Sequence, residues 1–138
     1  MRGVIFPGVT GKLCAVLRSG LSVSPAAYAS GVTVAPELPG TKTARMVTVR
    51  DDSGPDDGVQ SRRRCGFNVW ADSSVDAEAL ALLCMAILRN AADGKPITLV
   101  DQLSGPYRVP TDAPLTVGGK SLTNYFFTAR VTVRGSNY

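Results

Sequence analysis

A chain of 138 residues has the length of one domain and can bury a core without metal or disulfide staples. Its 44% hydrophobic and 19% charged content excludes a disordered chain, and a net charge of +4 favours anionic surroundings without naming a ligand. The complete lack of histidine excludes a Ser-His-Asp triad, a Cys-His pair and any His-ligated metal.

At the N-terminus, Arg2 is followed by Pro7, Gly8, Thr10, Gly11 and Lys12, which interrupt any apolar run, so no signal peptide is expected. Residues 1–31 read as a loosely attached opening helix and linker. Thr10 is the expected cap, Leu13, Val16 and Leu17 carry the apolar face, and the punctuation from Gly20 to Gly31 stops the helix. The core is expected over residues 32–138. It opens with a short strand, Val32 to Val34, which Pro36 and Pro39 place at a sheet edge.

Residues 45–71 read as a long hairpin. Val47 and Val49 share one face of its first strand, and Cys65, Phe67, Val69 and Ala71 share one face of its second. Between them, Asp51, Asp52, Ser53, Gly54, Pro55, Asp56, Asp57 and Gly58 form an acidic, turn-rich loop, expected to be exposed and mobile.

A helix is predicted over residues 75–92. Ser73 caps it with Asp76 three residues on, Asp76 and Glu78 complement the positive first turn, and Gly94 and Pro96 end it. Further extended segments follow at Ile97–Val100 and around Tyr107–Val109. A last strand spans residues 125–134, alternating Phe127, Ala129, Val131 and Val133 with polar neighbours. The expected fold is therefore α+β: two helices packed on an antiparallel or mixed sheet, in one domain.

Catalytic chemistry finds no footing here. The carboxylates cluster in a loop that cannot hold them at a fixed separation, and the early glycines form no phosphate-binding pattern. Cys14, Cys65 and Cys84 lack metal-ligand spacing and read as buried free thiols. No enzyme, cofactor or metal is expected, and the longest apolar run, Ala77 to Leu88, is too short to span a bilayer. A soluble protein made in a cytoplasm is expected.

The main helix points to assembly. From Ala77 to Leu88 its only polar positions are Glu78 and Cys84. With Val75, Ala79, Leu82, Leu83, Ala86 and Ile87 assigned to the sheet, Leu80, Ala81, Met85 and Leu88 point elsewhere and need a second cover. That cover is either the N-terminal helix or a loop of the same chain, or a neighbouring subunit, which makes Leu80, Met85 and Leu88 subunit-interface candidates. Asp51, Asp52, Asp56 and Asp57 facing Arg62, Arg63 and Arg64 of a neighbour would give a head-to-tail charge match. A small basic nucleic-acid-binding domain is the rival, although no helix-turn-helix, finger or base-stacking signature accompanies the arginines.

Val47-Thr48-Val49-Arg50-Asp51-Asp52, the acidic loop, Arg62-Arg63-Arg64, Phe67-Asn68-Val69-Trp70-Ala71 and the Ala- and Leu-rich helix stand in a distinctive order. So do Gly105-Pro106-Tyr107-Arg108-Val109-Pro110 and the closing Phe127 to Gly135 strand. Over residues 30–135 this order resembles the tail terminator proteins of long-tailed bacteriophages, especially those infecting actinobacteria. The charge of the arginine triplet and acidic loop exceeds the family pattern. The resemblance implies a hexameric homo-oligomeric ring in the neck of the virion. Such a ring caps the head-proximal end of the tail tube, stops polymerisation of the tail tube protein and meets the head connector or stopper protein. Genomic DNA passes through its channel without sequence-specific binding, and Arg62, Arg63, Arg64 and Arg130 are candidates for the channel wall. A head-completion or stopper ring is the alternative within this class.

Overall fold

A computed structural model describes residues 4–137 of the protein. Residues 1–3, including Arg2, and Tyr138, the outer ends of the two expected segments, lie outside the described residues.

In chain order the elements are β1 (Val4–Ile5), α1 (Thr10–Ser22), a 3-10 turn (Ala27–Ala29), β2 (Thr33–Ala35), β3 (Met46–Asp51), β4 (Gln60–Ala71), α2 (Ser74–Arg89), β5 (Ile97–Arg108), β6 (Thr116–Val117), β7 (Lys120–Ser121), β8 (Thr123–Arg134) and β9 (Ser136–Asn137). The main sheet has five strands in the order β2-β3-β4-β8-β5. All its pairings are antiparallel except β2 with β3, which run parallel. The fold is thus α+β, with a mixed sheet and two helices. Because β8 is antiparallel to both β4 and β5, those two strands run the same way, and α2 carries the chain between them while β8 fills the gap.

Alternation decides which side of the sheet is dry. Val47, Val49, Cys65, Phe67, Val69, Ala71, Phe127, Ala129, Val131 and Val133 all point to the helix side and are buried there. Phe67 and Phe127, directly opposite in the β4–β8 register, stack with ring centroids 4.6 Å apart.

Helix α2 begins at a cap that the sequence predicts: the backbone N–H of Asp76 donates to Ser73 Oγ at 3.1 Å. Its buried side chains are Ala77, Leu80, Ala81, Cys84, Met85 and Leu88. One side of α2 meets β4, β8 and β5, and another meets α1 and the 3-10 turn. The face assignment expected from sequence is therefore reversed for Leu80, Met85 and Leu88, which are buried, and for Val75 and Leu82, which are exposed, while Leu83 and Ile87 still pack against the core. Leu80 and Leu88 have no exposure and Met85 has 4%, so they sit between layers of their own chain and cannot meet a neighbouring subunit.

Helix α1 is the second cover. Leu13, Cys14, Leu17 and Leu21 join the same continuous core as the sheet, so the N-terminal segment is an integral layer, not a loose arm. Gly20 lies inside this helix instead of ending it. A Cβ there would fall 2.7 Å from the nearest Ile87 side-chain carbon, so glycine is what lets α1 and α2 approach this closely. The cap expected at Thr10 also differs, since Thr10 is the first helical residue and Val9, the N-cap, makes no side-chain cap bond. The Arg18 guanidinium fastens α1 to the edge strand β2 by donating to the Val34 carbonyl at 2.6 and 3.2 Å.

The other side of the sheet carries no helix. At one end, Leu115, Val117 and Leu122 from the β6–β7 arm cover Met46 and Trp70. The rest of that face is mostly polar, with Phe126 lying under the Arg50 guanidinium and Leu99 and Tyr107 exposed on β5.

Candidate interaction surfaces

The acidic loop between β3 and β4 is exposed, as expected, and its backbone bonds back onto β4. The Asp52 N–H donates to the Arg64 carbonyl at 2.8 Å, Arg64 N–H to the Ser53 carbonyl at 3.0 Å, and Arg62 N–H to the Pro55 carbonyl at 2.9 Å. Ser53 adopts a positive φ of 63° to turn the chain back along β4. Gly54 packs so closely on the Arg62 carbonyl that a Cβ would lie only 1.9 Å from its oxygen.

Four aspartates of this loop are engaged within their own chain. Asp51 binds Arg63 at 2.7 Å, with side-chain exposures of 13% and 16%. The Asp52 carboxylate receives Arg50 through two contacts, at 2.6 and 3.1 Å. Asp56 accepts from the Gly58 N–H at 3.2 Å, and Asp57 accepts from the N–H groups of Val59 and Gln60. Those backbone donors hold the Asp57 carboxyl below its usual range, with a further contribution from Arg62, whose guanidinium lies 3.9 Å away. The charge match imagined between neighbours is therefore made in cis.

The arginine triplet does not form one patch. Strand alternation sends Arg62 and Arg64 to the helix-free face and Arg63 to the opposite side, where it also donates to the Phe6 carbonyl at 3.3 Å. On the helix-free face Arg64 stands directly across from Arg130 of β8. Arg130 is held by both oxygens of Asp101 at 2.9 and 2.6 Å. This contact keeps the Asp101 carboxyl low, and it raises Arg130 further above its ordinary value. Arg64 has no ion pair among the described residues.

Together Arg62, Arg64 and Arg130 floor a cleft of about 220 Å³ walled by Ser53, Gly54 and Pro55 on one side and Gln102 on the other. Gln102, at a β5 irregularity, also has positive φ, at 48°. Among the described residues Ser53 and Gln102 are the only non-glycine positions with positive φ, and both line this cleft. Gln102 and Asp101 escaped the sequence reading. Both require the β5–β8 register, which no local pattern contains.

A second surface lies on the outside of α2. Val75 is 79% exposed and Leu82 48% exposed, with Ala86 exposed and Ala79 half-buried on the same helical stripe. Exposed Glu78 and Arg89 border this stripe, so the outside of the helix is an apolar strip edged by two charges.

The thiols are chemically quiet. Burial pushes Cys65 and Cys84 up to about 12, and burial also raises Cys14 against the lowering influence of Arg18. No group of three or more His, Cys, Asp or Glu side chains among the described residues has the arrangement of a metal site. No described helix is long and apolar enough to cross a membrane.

No family model matches the chain, and no curated protein matches it. Among solved structures, it is similar to a chain described as belonging to the virion of a native gene transfer agent particle. That similarity has a TM-score of 0.52 and 19% identity, covering 93% of this chain and 98% of the other. It is a likeness of fold over nearly the full length of both molecules.

Proposed function

We propose that this protein is a structural component of a phage-like virion, a tail terminator that forms a ring at the neck. The observation that carries this reading is the end-to-end fold likeness to a chain from a virion particle, with the same α+β layers and almost no length left over on either side. The ordered resemblance over residues 30–135 narrows the class to the terminator ring. The apolar outer stripe of α2 supplies what a ring needs, a surface on each subunit that water does not suit.

In this reading Val75, Leu82 and Ala86 take over the interface role expected of Leu80, Met85 and Leu88. Sister copies pack head-to-tail and close as a hexamer. One face of the ring meets the last layer of tail tube protein and the other meets the head connector or stopper, with the genome passing through the centre. Its place is the virion neck, assembled in the host cytoplasm.

The arginine-bearing face favours a second reading, a small basic nucleic-acid-binding domain. Both helices lie on the opposite layer of the sheet, away from Arg62, Arg64 and Arg130, so neither carries this charge into a groove. Adding the purified chain to polymerising tail tubes and imaging them by electron microscopy separates the readings. The terminator reading predicts tubes of arrested length with a ring at one end. Rings attached only to head connectors would assign the chain to the stopper or head-completion class, and unaltered tube growth without rings would sink the neck assignment.

A further inference from the structure

The cleft over Arg62, Arg64 and Arg130 has properties that folding alone does not ask for. Like charges directly opposed across a strand pair weaken the pair, yet Arg64 and Arg130 stand in that relation. Asp101 neutralises Arg130, and Asp57 only touches Arg62 at 3.9 Å. Three guanidinium groups thus converge on a cleft with a single tightly bound carboxylate. Two positive-φ residues, Ser53 and Gln102, shape its walls, a local cost of the kind that gathers at binding sites.

We infer that this cleft binds the phosphodiester backbone of a nucleic acid, without reading its bases. Guanidinium groups match phosphate oxygens with paired N–H donors. The lining contains no aromatic or aliphatic anchor, which a protein partner would use as a hot spot, whereas nucleic-acid contacts are polar and basic. The charge also continues along the strands. By register, Arg134 lies opposite Gln60, so with Arg62 and Arg64 it extends the row over about 13 Å of β4 at 3.3 Å per residue. A row of that length suits a polyanion better than a single small ion.

The test uses single copies of the full chain and a fluorescent DNA duplex, titrated over a range of salt, so it reads this site whether or not the chain caps a tube. Binding should weaken linearly on a log–log salt plot, equally for two unrelated sequences. Arg62→Gln with Arg64→Gln should lower affinity about tenfold or more at low salt and flatten the slope by about 1.8, near 0.9 per lost contact. Arg64→Gln alone should flatten it by about 0.9, Arg64→Lys should leave it unchanged, and Arg89→Gln on the helix layer should change nothing. An unaltered slope in the double variant, a preference between sequences, or no binding at low salt would overturn the inference. So would displacement of the duplex by poly-glutamate at equal charge, which would hand the cleft to an acidic protein segment, or by millimolar inorganic phosphate, which would make it a small-anion site.

Discussion

Ion pairs of this chain differ more in their surroundings than in their lengths. Asp51–Arg63 at 2.7 Å and Asp52–Arg50 at 2.6 Å are nearly equal in distance, but the first is mostly sheltered and the second is open to water. Removing Asp51 leaves a guanidinium partly buried without its counter-charge, so Asp51→Ala is expected to cost about 1–3 kcal/mol, while Asp52→Ala costs under about 1 kcal/mol. Urea unfolding of the two variants checks the contrast. Asp93 and Asp101 are held low by hydrogen bonds from Lys12 and Arg130 respectively. A carboxyl whose folded pKa is depressed stabilises the fold fully above its unfolded pKa and loses that contribution as pH falls through the folded value. The wild-type melting temperature should therefore fall on acidification below about pH 4, and Asp101→Asn should flatten part of that fall.

Helix α2 separates two kinds of leucine. Leu80 has no exposure, so Leu80→Ala should cost about 2–5 kcal/mol, and Leu88→Asp should prevent folding altogether. Leu82 is 48% exposed, so Leu82→Asp should melt within a few degrees of the wild type and lose only assembly. Ser73→Ala, which removes the cap, should cost about 1 kcal/mol. Circular dichroism melts of the four variants rank these effects. The cap, the first hairpin strand and the inward set Cys65, Phe67, Val69 and Ala71 are legible in the sequence because each depends on residues within a few positions, whereas the start of β4 at Gln60, ahead of the arginine triplet, is not. The sides of α2 are not. A helix apolar all round has no polar stripe to mark its outside, so only the docking of α1 and the sheet shows that Val75 and Leu82 face water. The same limit hid the cleft, since Arg64 and Arg130 lie 66 positions apart and meet only through the β4–β8 register.

At the scale of the whole molecule, the chain shelters two sides of its main helix with its own sheet and α1 and leaves on a third side a bare apolar strip bordered by Glu78 and Arg89. Assembly is the economical account of that third side, because a neighbouring copy covers it without any change of fold. The arginine face lies on the other side of the sheet, so one subunit can present its helix layer to a protein neighbour and its bare sheet to a polyanion at once. Thiol labelling of a Leu82→Cys variant tests the covering directly, because burial keeps the three native thiols silent. The account predicts rapid labelling of the free chain and protection once it is bound on tail tubes. Equal labelling in both states would contradict it.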